Sequence, residues 1–180
     1  MKNNLSSIFV RYLILILAAL PGMGLFYLIF SPLTIYPVFG LLSLFFDASF
    51  CNACNVANTI LVNQFSIEII GSCIAGSAYY FLLILNLATP NIKIKPRLKM
   101  LFGGFLVFLV MNILRIFFMS LMYINGSALF DFAHKLIWWI GTTIFVLAIW
   151  FVEVKMFKVK EIPFYSDVQF LYKGTKKKRK

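Results

Sequence analysis

Histidine and cysteine are scarce in this chain of 180 residues, which holds one histidine and three cysteines. Three cysteines are too few for a disulfide framework, and Cys51, Cys54 and Cys73 do not combine with the histidine at zinc-ligand spacing, so neither a structural metal nor a cofactor is expected. Charge is scarce as well, at 13% of residues, and acid is the rarer sign: 6 Asp and Glu against 17 Lys and Arg leave a net charge of +11. What fills the chain instead is apolar. A hydrophobic content of 62%, an aromatic content of 18% and a mean hydropathy of +0.91 exceed what a globular core of this length can bury. The sequence therefore reads as an all-α integral membrane protein, one membrane domain over residues 1–180. In a soluble protein the basic excess would point to nucleic acid. Here it flanks apolar runs and gathers at the C-terminus, the pattern of cytoplasmic loops and of contact with anionic membrane lipids, so no nucleic-acid partner is expected.

A helix needs about 20 apolar residues to cross the hydrocarbon layer, and about four stretches qualify. Residues 1–30 hold the first, apolar from Tyr12 to Phe30 with a kink at Pro21-Gly22; cleavage as a signal peptide is not expected, because hydrophobicity runs on past Ala18-Ala19. Residues 31–67 form an outer segment. Within it Leu33 to Phe46, interrupted by Pro37 and Gly40, reads as a half-inserted or interfacial helix, and Thr59–Val62 with Phe65-Ser66-Ile67 as a small external hairpin. Residues 68–154 supply three spans: Glu68 to Leu87, Leu98 to Met122, and Phe132 to Val154 with Trp138, Trp139 and Trp150 as interfacial anchors. Residues 155–180 are a basic tail ending in Lys176-Lys-Lys-Arg-Lys180.

Topology does the first functional work. The basic loop Lys93, Lys95, Arg97, Lys99 and the tail both mark the cytoplasmic side, which puts both termini inside a cell membrane crossed several times. Of the 17 Lys and Arg, only Arg115 and Lys135 are then left away from the cytoplasm. Cys73 falls in the first turns of its helix at the outer face, and His134 opens the last helix at the same face. Arg115 lies eight residues before Tyr123, roughly 12 Å below the outer end of its helix at about 1.5 Å per residue. A charge in a span faces a cavity or a partner. Asn112, one turn from Arg115 on the same face, is positioned to hold the guanidinium. A thiol, a guanidinium and an imidazole at one depth suit acyl transfer through a thioester: the guanidinium stabilises anionic sulfur or oxygen, and the imidazole carries protons to the leaving amine and from the incoming nucleophile.

Over about residues 66–153 the chain resembles the exosortase/archaeosortase family of membrane transpeptidases, most closely its compact archaeal members. The likeness rests on a cysteine followed by small residues at the start of a span (Cys73-Ile-Ala-Gly76), on Asn112-Ile-Leu-Arg115-Ile116 late in the next, and on His134 at the start of the last. Many members carry glycine two residues after the cysteine, where this chain has Ala75. The resemblance implies a cysteine protease and transpeptidase with Cys73, Arg115 and His134 catalytic and Asn112 supporting. It implies as partners surface proteins ending in a motif, a transmembrane helix and a basic cluster, cut on the outer face and passed to an acceptor, a lipid among the candidates.

Two other readings compete. Cys51-Asn-Ala-Cys54 with four spans is similar to a quinone-linked thiol oxidase, although a local disulfide or two free thiols is the plainer account of that pair. A non-catalytic membrane scaffold would need Gly71, Ala75, Gly76, Ala78, Gly103 and Gly104 only as helix-packing positions, a role expected of them on any reading. Asn125-Gly126-Ser127 is expected to be a turn rather than a glycosylation acceptor.

Overall fold

The computed structural model describes residues 5–19, 24–51, 54, 58–90, 92–159 and 172. Among them four helical stretches are long and apolar enough to cross a membrane: α2 (Gly24–Ser43), the pair α3 (Gly71–Ile74) and α4 (Gly76–Ala88), α5 (Ile94–Ile124), and the run from α6 (Phe130–Leu136) through a π-helical turn (Ile137–Gly141) into α7 (Thr142–Met156). The protein is thus an all-α, multi-pass membrane protein with one small sheet. The kink expected at Pro21-Gly22 and the basic tail beyond Val159, Tyr172 apart, lie outside the described residues.

The number of spans agrees with the sequence, but the first one is a different segment. Within the described residues α1 (Leu5–Ala19) covers the start of the expected first span, and α2 carries both Pro32 and Pro37 in its interior, so most of the stretch from Leu33 to Phe46 belongs to the same helix as Gly24 to Phe30. The reason is the solvent. Proline breaks helices in water, whereas in a bilayer unpaired backbone is so costly that the helix continues and neighbouring helices satisfy the carbonyls that proline frees.

Between α2 and α3 lies a three-stranded antiparallel sheet in the order β1 (Ala48–Phe50), β2 (Thr59–Val62), β3 (Phe65–Glu68). Pairing of Val62 with Phe65 leaves Asn63 and Gln64 as a two-residue turn, with Asn63 in the left-handed region at φ 51° as such turns require. The hairpin was expected; β1 is an addition. Its edge is covered by α2, with Phe50 stacked on Phe39 at 4.3 Å between ring centroids. Just beyond it Cys51 and Cys54 form a disulfide.

Aromatic rings fill the bundle. Phe30 stacks on Tyr79 at 3.6 Å, and Phe108 meets the same ring edge-on at 4.8 Å. Small residues let backbones approach where rings and acids intrude. A Cβ on Gly76 would lie 2.9 Å from Cζ of Tyr27, and one on Gly104 would lie 2.7 Å from Oε1 of Glu153. Gly103 is no packing position, since nothing lies within 4 Å of where its Cβ would be. Trp150 is no interfacial anchor either: it is 6% exposed, on the helical face it shares with the buried Val146, Ile149 and Glu153, whereas Trp139 is 80% exposed.

Arg97 does more than mark a loop. Its guanidinium donates to the carbonyls of Asn86, Leu87 and Thr89 at 2.8, 2.9 and 2.8 Å, satisfying the orphan acceptors at the end of α4. Nearby, inside the bundle, Nδ2 of the fully buried Asn86 faces Oε2 of Glu153 at 3.5 Å.

Candidate active site

The site begins with a break in a helix. Gly71–Ile74 makes one helical turn, Ala75 then adopts φ 58°, ψ 43°, and α4 restarts at Gly76. For a residue with a Cβ the left-handed conformation costs roughly 1–2 kcal/mol, and such local strain is concentrated at functional positions. Ala75 N–H bonds back to Gly71 O at 3.3 Å and closes the turn. A left-handed residue ends the helical ladder, so the carbonyls just before it turn to other donors.

Those donors come from α5. Nδ2 of Asn112, a residue 3% exposed, donates to Cys73 O at 3.0 Å and to Ile74 O at 3.3 Å. Nη2 of Arg115 donates to Cys73 O at 3.3 Å, and Nη1 to Oγ1 of Thr142 at 3.0 Å. Thr142 in turn donates to Ile137 O at 3.2 Å, the carbonyl that opens the π-helical turn. Asn112 was expected to hold the guanidinium. It meets Arg115 at a shared acceptor instead, because an acceptor freed by the broken helix lies within reach of both side chains.

His134 is carried on α6. Asn125-Gly126-Ser127 forms the turn before it: Gly126 has φ 60°, and Ser127 N–H reaches back to Met122 O at 3.0 Å to cap α5. The reversed chain brings α6 over the end of α5, where the exposed imidazole stacks on Phe130 at 5.5 Å between centroids, with Trp138 at 6.3 Å on its other neighbour position.

These elements enclose a cavity of about 230 Å³ whose walls include Cys73, Arg115 and His134, together with β3 and the following residues Ile69 and Ile70. All three side chains singled out in the sequence therefore face one space. Cys73 is half-buried and is the one free thiol, since the other two cysteines are bonded to each other. Neither Cys51 nor Cys54 lines the cavity. A second, apolar hollow of about 280 Å³ shares Arg115, Met119 and Ile137 with the first and is otherwise lined by Met111, Leu114, Phe118 and Phe145.

Sequence reasoning missed Thr142, Ser120 and Tyr123. Thr142, which holds Arg115, sits in an isolated Thr-Thr pair within an apolar run, a signal that was there to read; Ser120 and Tyr123 line the cavity itself. Among the described residues no group of three or more His, Cys, Asp and Glu is arranged to hold a metal ion. No protein-family model matches the chain, and no curated protein and no solved structure matches it.

Proposed function

We propose that the protein is a sortase-like cysteine transpeptidase of the membrane, acting on surface proteins whose C-terminal signal combines a short motif, a transmembrane helix and a basic cluster. The observation that carries this reading is the one cavity walled by the only free thiol, the half-buried Arg115 and the only histidine. In the first step Sγ of Cys73, as thiolate, attacks the scissile carbonyl. Arg115 stabilises the oxyanion, the C–N bond breaks, and His134 gives its proton to the departing amine, leaving a thioester. In the second step His134 takes a proton from the incoming nucleophile, which attacks the thioester carbonyl and releases the thiolate.

Orientation follows from charge. With Lys93, Lys95 and Lys99 on the cytoplasmic side, the sheet and the cavity face outward and the termini inward. The apolar hollow, which shares Arg115 with the cavity that holds the thiol, then lies at lipid depth, a fitting neighbour for the hydrophobic helix that follows the cut. The resemblance to exosortases and archaeosortases over residues 66–153 supports the same roles for Cys73, Arg115 and His134.

The test is the C-terminal peptide mass spectrum of the surface proteins of cells carrying variants of this chain. Cys73→Ala leaves substrates with their C-terminal helices attached, while the double variant Cys51→Ala/Cys54→Ala processes them as wild type does. If the double variant alone loses processing, a thiol oxidoreductase centred on the disulfide replaces this reading. If neither does, the protein is a scaffold.

A further inference from the structure

The sheet has one covered edge and one open edge. β1 lies against α2, whereas among the described residues β3 has no further strand beyond it. Which of its backbone groups face outward follows from the register. Val62 pairs with Phe65 across a two-residue turn and Ile60 pairs with Ile67, and Ile69 N–H continues the ladder to Asn58 O at 3.3 Å. Alternation along an antiparallel strand then turns the N–H and C=O of Ser66 and Glu68 away from β2. Among the described residues these outward groups bond to nothing. The edge is short and ends in Glu68, but it has no proline, no lysine and no bulge to prevent pairing.

This edge is continuous with the candidate active site. Ser66, Glu68 and Ile70 line the same cavity as Cys73, and the strand runs directly into the turn that carries the thiol. A peptide laid along β3 would deliver its C-terminal carbonyl toward Cys73 if it ran in the same direction as β3, and its continuation would pass toward the apolar hollow shared with Arg115.

We propose that the substrate is recognised by strand addition: its extended segment on the acyl side of the scissile bond pairs, parallel, with the outward N–H and C=O groups of Ser66 and Glu68, as a fourth strand of the sheet. Main-chain bonds of this kind provide affinity with little demand on side chains. The inference rests on the transpeptidase reading, since it needs a peptide whose carbonyl is attacked by Cys73.

The probe is N-acetyl-tetra-alanyl acyloxymethyl ketone, used on the full-length protein in detergent. The Cys73 thiolate displaces the carboxylate at the ketone's methylene carbon, a C–S bond forming as the C–O bond breaks. With methyl side chains only, any backbone recognition is isolated. Iodoacetamide, which has no peptide backbone, reports the intrinsic reactivity of the same thiol.

Ser66→Pro removes an outward N–H without touching the ladder to β2, and proline is tolerated on an edge strand. The expected result is that Ser66→Pro slows labelling by the peptidyl ketone about three- to tenfold, the net worth of one backbone hydrogen bond, while the iodoacetamide rate stays at wild type. Equal peptidyl-ketone rates for wild type and Ser66→Pro, at equal iodoacetamide rates, overturn the proposal. Should Ser66→Pro alter the iodoacetamide rate, the wild-type protein decides: N-methylation at alternate amides of the probe is expected to give a period-two pattern of slow and unaffected labelling, and a flat pattern overturns the proposal. Labelling by the peptidyl ketone that persists in Cys73→Ala would instead overturn the transpeptidase reading itself.

Discussion

Nη2 of Arg115 donates to the backbone carbonyl of Cys73 at 3.3 Å, across 42 residues of sequence. The guanidinium that would stabilise charge at the thiol thus also fixes the backbone carrying it, and its other nitrogen anchors on Thr142 at 3.0 Å. The two bonds leave from two nitrogens held in one rigid plane, whereas lysine would have to make both from a single nitrogen.

Arg115→Lys is therefore expected to fold, to keep its charge, and to lose processing of surface proteins by roughly tenfold or more, a charged hydrogen bond being worth about 1.5–3 kcal/mol. Processing is scored by C-terminal peptide mass spectrometry against protein abundance. A loss of abundance equal to the loss of processing would make Arg115 purely structural.

Asn112→Leu strips a donor from the carbonyls of Cys73 and Ile74, which Asn112 reaches at 3.0 and 3.3 Å. Leaving buried acceptors unsatisfied is expected to cost about 1–3 kcal/mol, read as a lower melting temperature in detergent. Asn112→Asp, which keeps the shape but lacks the N–H donors, is expected to fall in the same direction.

Ala75→Gly should stabilise the protein. Ala75 sits at φ 58°, a conformation glycine adopts without the roughly 1–2 kcal/mol cost of a Cβ, and melting temperature is expected to rise.

Gly76→Ala would push a methyl to 2.9 Å from the Tyr27 ring, whereas Gly103→Ala meets nothing within 4 Å. The first is expected to lower stability and the second to be near neutral. Tyr27→Leu in the Gly76→Ala background should recover part of the loss, a coupling that a double-mutant cycle measures directly.

The Cys51→Ala/Cys54→Ala double variant is expected to lose no more than about 2 kcal/mol of stability, the chain-entropy value for so short a loop, and to keep wild-type processing. The disulfide lies beyond the covered edge β1 and away from the cavity walls.

Much of this molecule was legible in its sequence because hydrophobicity and lysine are long-range signals. They marked four spans and put Cys73, Arg115 and His134 at one level, and those side chains do line one cavity. What was misread depends on environment. By a rule that holds in water Pro37 interrupts the stretch from Leu33 to Phe46, yet α2 runs through it, and Trp150 reads as an interfacial residue by its place near a span's end, yet it is buried. Asn112 was paired with Arg115 by helical spacing, since nothing in the identity of Ala75 announces a left-handed break that frees two carbonyls. Arg97 was read as a topological charge although it caps α4, and the buried Asn86 and Glu153 were passed over inside apolar runs.

The central claim is that Cys73 forms a thioester with a cleaved polypeptide. The chain's other two cysteines are bonded to each other, so the intact mass of the protein, purified from its own membranes and measured before and after neutral hydroxylamine, reads Cys73 alone. The account predicts a hydroxylamine-labile acyl adduct on Cys73 that is absent from Arg115→Ala. A Cys73 that is never acylated while surface proteins are processed normally would contradict it.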